Sequence, residues 1–336
     1  MRRIAMAVAM ALALVVAGCG NKADDSGGGG GDAAANWPQR DLRLMAPADP
    51  GGGWDGTARA MSQAMTQAKV IDKKIEVYNV PGAGGTIGLS QLASKQAGKS
   101  NELMVMGLVM IGAIETNKSP TDLSKTTPIA SLTTEPEAVF VKADSKYKTM
   151  QDLVDDMKAD PAKISIGGGS AGGTDQILLG LIAKAAGVDP SKPKYVAYSG
   201  GGEAQQSILS GSVDAGISAI SEWAEQVEAG KMRVLAVSTA EPLKVAGKEV
   251  KTLKDQGLDV EITNWRGVVA PPGIKPADRE AAIAAMQKLH DSSQWKALLK
   301  KNEWTDFFKT GDDFKSYIDS ENQRVEGILG EIGLTG

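Results

Sequence analysis

Four times along this 336-residue chain a short apolar run ends in a cluster of glycines and passes at once into a helical pattern. The clusters are Gly51-Gly52-Gly53, Gly82-Ala83-Gly84-Gly85-Thr86, Gly167-Gly168-Gly169-Ser170-Ala171-Gly172-Gly173-Thr174 and Ser199-Gly200-Gly201-Gly202. Glycine loses more backbone freedom on folding than any other residue, so repeated clusters at one kind of junction need a physical reason. Strand, glycine turn and helix in succession is the junction of open α/β sheets, where ligands bind outside the carboxyl ends of the strands. The four clusters are therefore expected on one face.

The rest of the pattern agrees with an α/β class. Strands are expected at residues 41–46, 74–80, 103–108, 138–141, 164–167, 194–197, 215–217, 234–238 and 267–270, and helices at 57–69, 88–95, 150–160, 175–186, 203–210, 220–229, 276–291 and 312–329. Such alternation predicts a mostly parallel sheet with helices on both faces. No fixed-period repeat is present.

A helix N-terminus offers unpaired N–H groups and a partial positive charge, and glycines ahead of it let the backbone close around an anion. These loops hold no Lys or Arg, while Thr86, Ser170, Thr174 and Ser199 add neutral hydroxyls. That donor set suits a carboxylate, whose oxygens accept several bonds. One such loop is read as a tight turn; four at equivalent junctions are read as a binding site. Nucleotide fingerprints are missing: no G-x-x-x-x-G-K-[ST] occurs, and Gly82 to Gly88 places Ile87 where G-x-G-x-x-G needs its last glycine. Asp55 and Asp175 open helices, as caps or as contacts to a ligand hydroxyl or ammonium. Arg59, a turn further in, is expected to pair or pack. The single His290 reads as a solvated helix residue, and with a single cysteine no zinc site of nitrogen and sulfur ligands can form. No catalytic elbow of the G-x-S-x-G kind occurs, so neither an enzyme nor a cofactor is expected.

The N-terminus reads as an export signal: Arg2 and Arg3 precede an apolar run over residues 4–17, too short to cross a bilayer. Val16-Ala17-Gly18-Cys19 resembles a bacterial lipobox, which implies cleavage after residues 1–18 and lipid on Cys19. Residues 19–36 have no large apolar side chain and read as a Gly-rich tether spanning on the order of 20 Å. The body from Trp37 has length for two domains. A net charge of −4 without a basic stripe argues against nucleic acid as a partner.

Pro50-Gly51-Gly52-Gly53-Trp54-Asp55 with Ala58-Arg59, Asn79-Val80-Pro81-Gly82-Ala83-Gly84-Gly85-Thr86-Ile87-Gly88 and Gly169-Ser170-Ala171-Gly172-Gly173-Thr174 together resemble the tripartite tricarboxylate transporter receptor family, the Bug-type solute-binding proteins. Tyr198-Ser199-Gly200-Gly201-Gly202-Glu203-Ala204, Gly211-Ser212-Val213-Asp214-Ala215-Gly216 and Trp265-Arg266-Gly267-Val268-Val269-Ala270-Pro271-Pro272-Gly273 extend the likeness over nearly the whole body. The resemblance implies two α/β lobes of the periplasmic-binding-protein kind with ligand between them. The chain would cross near Pro136 and Thr263, giving a lobe of residues 37–136 plus 264–336 and another of 137–263. The implied ligand-binding residues are Gly51, Gly52, Gly53, Asp55, Ala83, Gly84, Gly85, Thr86, Gly169, Ser170, Gly172, Thr174, Ser199, Gly201, Gly202 and Asp214. Many members carry a His shortly after the second-lobe Ser/Gly loop, where this chain has Gln176. The function implied is an extracytoplasmic, monomeric lipoprotein that captures a di- or tricarboxylate and delivers it to a two-component membrane permease. Two other readings stay open: an exported nucleotide- or phosphate-using enzyme built on the Gly82 loop, and a binding protein serving a sensor.

Overall fold

The structure is a computed structural model that describes residues 37–198 and 201–335. The signal, Cys19, the tether, Ser199 and Gly200 lie outside the described residues.

Three parallel strands, β1 (Leu42–Ala46), β2 (Ile75–Asn79) and β3 (Glu102–Gly107), lie in the order β2-β1-β3. Their near-continuous apolar runs, Leu103 to Met106 above all, are those of strands covered on both faces. The sheet continues through β11 (Thr263–Ala270), antiparallel to β3, into the 16-residue strand β4 (Thr127–Lys142). Here the partners change. Residues 127–136 of β4 pair with β11, and from Glu137 onward β4 pairs with β7 (Ala215–Ala219) and β8 (Met232–Val237). The change falls at Pro136, a residue with no N–H to give a ladder. Beyond β7 lie β5 (Ser165–Gly168) and β6 (Lys194–Ala197), again parallel. One curled sheet thus has two parallel wings joined by the antiparallel β4 and β11. A hairpin of β9 (Leu243–Val245) and β10 (Lys248–Val250) and the short β12 (Thr305–Asp306), which pairs with β4, complete the strands.

In chain order the helices are α1 (Gly53–Gln67), α2 (Thr86–Lys95), α3 (Leu108–Thr116), α4 (Met150–Ala159), α5 (Thr174–Ala185), α6 (Gly201–Ser210), α7 (Ile220–Glu228), α8 (Pro276–Asp291), α9 (Ser293–Lys301) and α10 (Gly311–Glu331). α1 shows why the sequence folds this way: Ala58, Met61, Ala64 and Met65 recur at helical spacing and all are fully buried against the sheet. A second, smaller core gathers around Phe140 and Trp223, whose rings meet edge to face at 4.9 Å.

Most expected elements form within a few residues of their sequence positions. β4 is the main exception, expected only over 138–141. Its first half carries Pro128, Ser131, Thr133, Thr134, Glu135 and Pro136, which do not alternate as strand residues, yet Ser131 and Thr133 are fully buried. α3 was hidden because it is apolar nearly all round, and α9 was also not expected. His290 is not solvated as the sequence implied: its ring stacks on Phe308 at 4.0 Å and Nε2 lies 3.0 Å from Asp306.

Candidate functional site

The carboxyl ends of the parallel strands in both wings open into one cleft of about 1260 Å³. Gly51, Gly52, Gly53, Ala83, Gly84 and Gly85 line it from one wing, and Gly169, Ser170, Thr174, Gly201 and Gly202 from the other. Four expected residues lie off this wall. Asp55, Thr86 and Gly172 are turned inward, and Asp214 belongs to the opposite end of its strand.

Asp55 is 2% exposed and fully engaged. Its Oδ2 accepts from the Gly51 N–H at 2.8 Å and from Arg59 Nε at 2.8 Å, and its Oδ1 accepts from Asn79 Nδ2 at 3.0 Å. Burial raises its pKa, but the bonds from Arg59, Gly51 and Asn79 outweigh that and hold the carboxyl below its usual range. It therefore ties the loop to the helix; the cap position itself belongs to Gly52. Arg59 pairs, as expected. Within the triplet, Gly51 needs its positive φ of 87°, Gly52 is extended, and Gly53 makes room for a cation: a Cβ there would lie 2.5 Å from Nη2 of Arg266.

The second loop turns through residues 82–85 with φ of 120°, 49°, 59° and 90°. The Ala83 carbonyl accepts from Thr86 Oγ1 at 2.9 Å and from Asn117 Nδ2 at 3.1 Å, so the Thr86 hydroxyl serves the loop and not the cleft. The N–H groups of Ala83 and Gly84 meet no acceptor among the described residues.

Across the cleft the chain engages three donors of the Gly169 loop itself. Asp175 Oδ2 accepts from the Gly169 N–H at 2.6 Å, Gln176 Oε1 from the Gly172 N–H at 2.8 Å, and the Ser170 carbonyl from the Gly173 N–H at 2.9 Å. Gln176, at the position where the family resemblance implied His, thus holds the loop in shape. Gly172 faces Thr116 and the backbone of Gly112 on α3, so helix and loop touch. Thr174 Oγ1 and Asn264 Oδ1 are buried, on the wall and without partners among the described residues. Asp214 binds the N–H and hydroxyl of Ser165 at 2.9 and 2.6 Å, at the amino end of β5, away from the glycine loop at its other end.

Charged residues on the cleft floor escaped the sequence reading. Arg266, 3% exposed, grips Glu135 with bonds of 3.0 and 2.7 Å. Two residues along β4, Glu137 is fully buried; its carboxyl meets no N–H or hydroxyl donor among the described residues, and its neighbour is the Asp175 carboxyl, close enough to share a proton. Asp175 and Glu222 stand beside it, and Glu222 Oε2 accepts from Ser218 Oγ at 3.0 Å. Burial, then the charges of Asp175, Glu135 and Glu222, push the Glu137 carboxyl well above its usual range; burial pushes Asp175 up to about 7. The available signal was Glu135-Pro136-Glu137 directly ahead of the apolar run Ala138 to Val141, and Arg266 between Trp265 and Gly267-Val268-Val269. Among the described residues no cluster of His, Cys, Asp and Glu has the makings of a metal site, and no helix is long and apolar enough to cross a membrane.

Glycine loops from two α/β wings converging on one cleft define a solute-binding protein of the periplasmic kind. Solved structures share this fold. MatC from Rhodopseudomonas palustris, with bound malate, superposes with a TM-score of 0.74 at 23% identity, covering 87% of this chain and 100% of its own. An adipate-bound protein of the same bacterium gives 0.77 at 20% identity, with 88% and 98% covered. Among curated sequences, a Cupriavidus necator protein from the gbd 5′ region is 27% identical over 90% of both chains, and BugT of Bordetella pertussis is 23% identical over 90% of this chain and 92% of its own. The profile of the tripartite tricarboxylate transporter family receptor matches residues 57–334, and the chain belongs to that family.

Proposed function

We propose that this protein is an extracytoplasmic receptor that captures an organic carboxylate in the cleft and hands it to the membrane components of a tripartite transporter. It acts by binding and closure, not by catalysis. The observation that carries this reading is the convergence of the Gly51, Gly82, Gly169 and Gly201 loops on one cleft, with the Ala83 and Gly84 N–H groups unpaired among the described residues. Malate and adipate in fold relatives support the ligand class. The lobes are residues 37–136 plus 264–336 and residues 137–263, hinged where β4 changes partners at Pro136 and where β11 begins at Thr263. Cys19 carries the lipid that holds the body to the membrane, and residues 19–36 are its tether.

A thermal-shift screen of a carboxylate panel tests the reading. A ligand at 100 times its dissociation constant stabilises a protein by about 2.7 kcal/mol, or about 4 °C for a chain of this size. At least one di- or tricarboxylate, or amino derivative of one, is expected to give such a shift. Stabilisation by nucleotides or inorganic phosphate alone, with every carboxylate inert, would overturn it.

A further inference from the structure

The two sides of the cleft differ in charge. On the first, the N–H groups of Ala83 and Gly84 meet no acceptor among the described residues, and the charged residues Asp49, Lys301 and Glu303 are exposed at the rim. On the second, the N–H groups of Gly169, Gly172 and Gly173 are taken by the chain's own acceptors, which leaves those of Ser170 and Ala171 as the open donors of that loop among the described residues. Asp175 stands in the first turn of α5 and Glu222 in the first turn of α7, filling the places where a helix end would hold an anion. Glu137 lies beneath them, fully buried, its carboxyl against that of Asp175 and meeting no N–H or hydroxyl donor among the described residues. The Arg266 guanidinium is committed to Glu135 by two bonds. The remaining group at this floor with a raised proton affinity is Tyr195 of β6, whose hydroxyl donates to the Gly169 carbonyl at 2.9 Å.

We propose that Glu137, Asp175 and Glu222 form a subsite for a protonated amine, with Asp175 and Glu222 at the cleft surface and Glu137 adding its charge from below. Resting on the carboxylate reading above, this makes the ligand a zwitterion that lies across the cleft, its carboxylate toward the Gly82–Gly85 loop and its ammonium toward the acidic floor. A second carboxylate could be met there only by carboxyls that keep their protons, whereas an ammonium is met by the ionised groups and supplies the donors they lack. In the empty cleft burial and mutual repulsion favour the protonated forms of Glu137 and Asp175. An entering ammonium displaces a proton to solvent.

Calorimetry at pH 6 and pH 8 with adipate, malate, 6-aminohexanoate, 2-aminoadipate, aspartate and hexylamine separates the possibilities. The amine-bearing acids are expected to bind at least tenfold more tightly than adipate and malate. Their affinity should be higher at pH 8, and their binding heat should vary with the ionisation enthalpy of the buffer as protons are released. Glu137→Gln and Glu222→Gln should each weaken them at least tenfold without lowering the melting temperature of the unliganded protein. Adipate or malate binding as tightly as their amine-bearing counterparts would overturn the amine subsite and leave the carboxylate reading standing. So would amine binding that both variants retain in full. Failure of every amine in the set to bind also overturns it. Binding of hexylamine with every acid inert would uphold the subsite and remove the carboxylate reading.

Discussion

Gly53 and Arg266 are one arrangement: a methyl group on the glycine would lie 2.5 Å from Nη2 of a guanidinium that is 3% exposed and bonded twice to Glu135. The third glycine of the triplet therefore answers to a buried cation before it answers to any ligand. Removing one partner of a buried ion pair costs about 3–5 kcal/mol because the other charge is left unpaired. Glu135→Gln and Arg266→Leu should each lower the urea unfolding free energy by about that amount. Gly53→Ala should cost about 1–3 kcal/mol as the guanidinium is displaced. Losses below about 1 kcal/mol in all three would show that the pair does not hold the floor together.

Arg59 and Gly52 should behave in opposite ways. The Arg59 side chain is 55% exposed and its ion pair with Asp55, at 2.8 Å, points away from the cleft. Arg59→Gln should leave ligand affinity within about twofold and cost about 1 kcal/mol of stability or less. Gly52 has φ −73°, which valine adopts, and a Cβ there would lie 3.3 Å from the Asp49 carbonyl, so Gly52→Val should fold with a small shift of the loop that narrows the cleft and abolishes binding. Calorimetry on the two folded variants decides; lost binding in Arg59→Gln with retained binding in Gly52→Val would make the glycine triplet a mere turn.

The unliganded protein should be more stable at mildly acid pH. Asp175 has a folded pKa of about 7, raised first by burial, against 3.8 in an unperturbed carboxyl. A raised acid keeps its proton in the folded state over that window, so stability falls as pH rises from about 4 to about 7 and levels off above. Glu137 is shifted the same way. Melting temperature measured from pH 5 to pH 8 should fall by several degrees, and the slope should flatten in Asp175→Asn. A profile that rises over this range would mean that the floor is ionised and paired.

What the sequence disclosed, and what it did not, follows from how each kind of residue announces itself. Glycine clusters at strand-to-helix junctions are local and chemical, and the loops at Gly51, Gly82, Gly169 and Gly201 do line one cleft. The amphipathic helices and parallel strands were legible by period. The charged floor was not, because Glu135, Glu137, Glu222 and Arg266 are brought together from three separate stretches, and a charge in a strand carries no mark of burial. Asp55 was legible as a helix-opening residue but not as one whose oxygens are both occupied; that depends on Asn79, which arrives from β2. β4 was half hidden for a related reason, since its buried Ser131 and Thr133 read as loop residues until the sheet covers them.

The anchor has its own test. Cys19→Ser should release the protein from the membrane fraction while its purified body binds the same compounds with the same affinity. Unchanged membrane fractionation would remove the lipoprotein reading.

The central claim is that one carboxylate-bearing solute bridges the glycine loops of both lobes. Amide hydrogen exchange, with and without a saturating amount of whichever acid in the panel stabilises most, measures this directly. Slowed exchange is expected in the Gly82–Gly85 loop and in the Gly169–Gly173 loop together, with the Cys19 region unchanged. Protection confined to one of the two loops, or to neither while the melting temperature still rises, would contradict a ligand held between them.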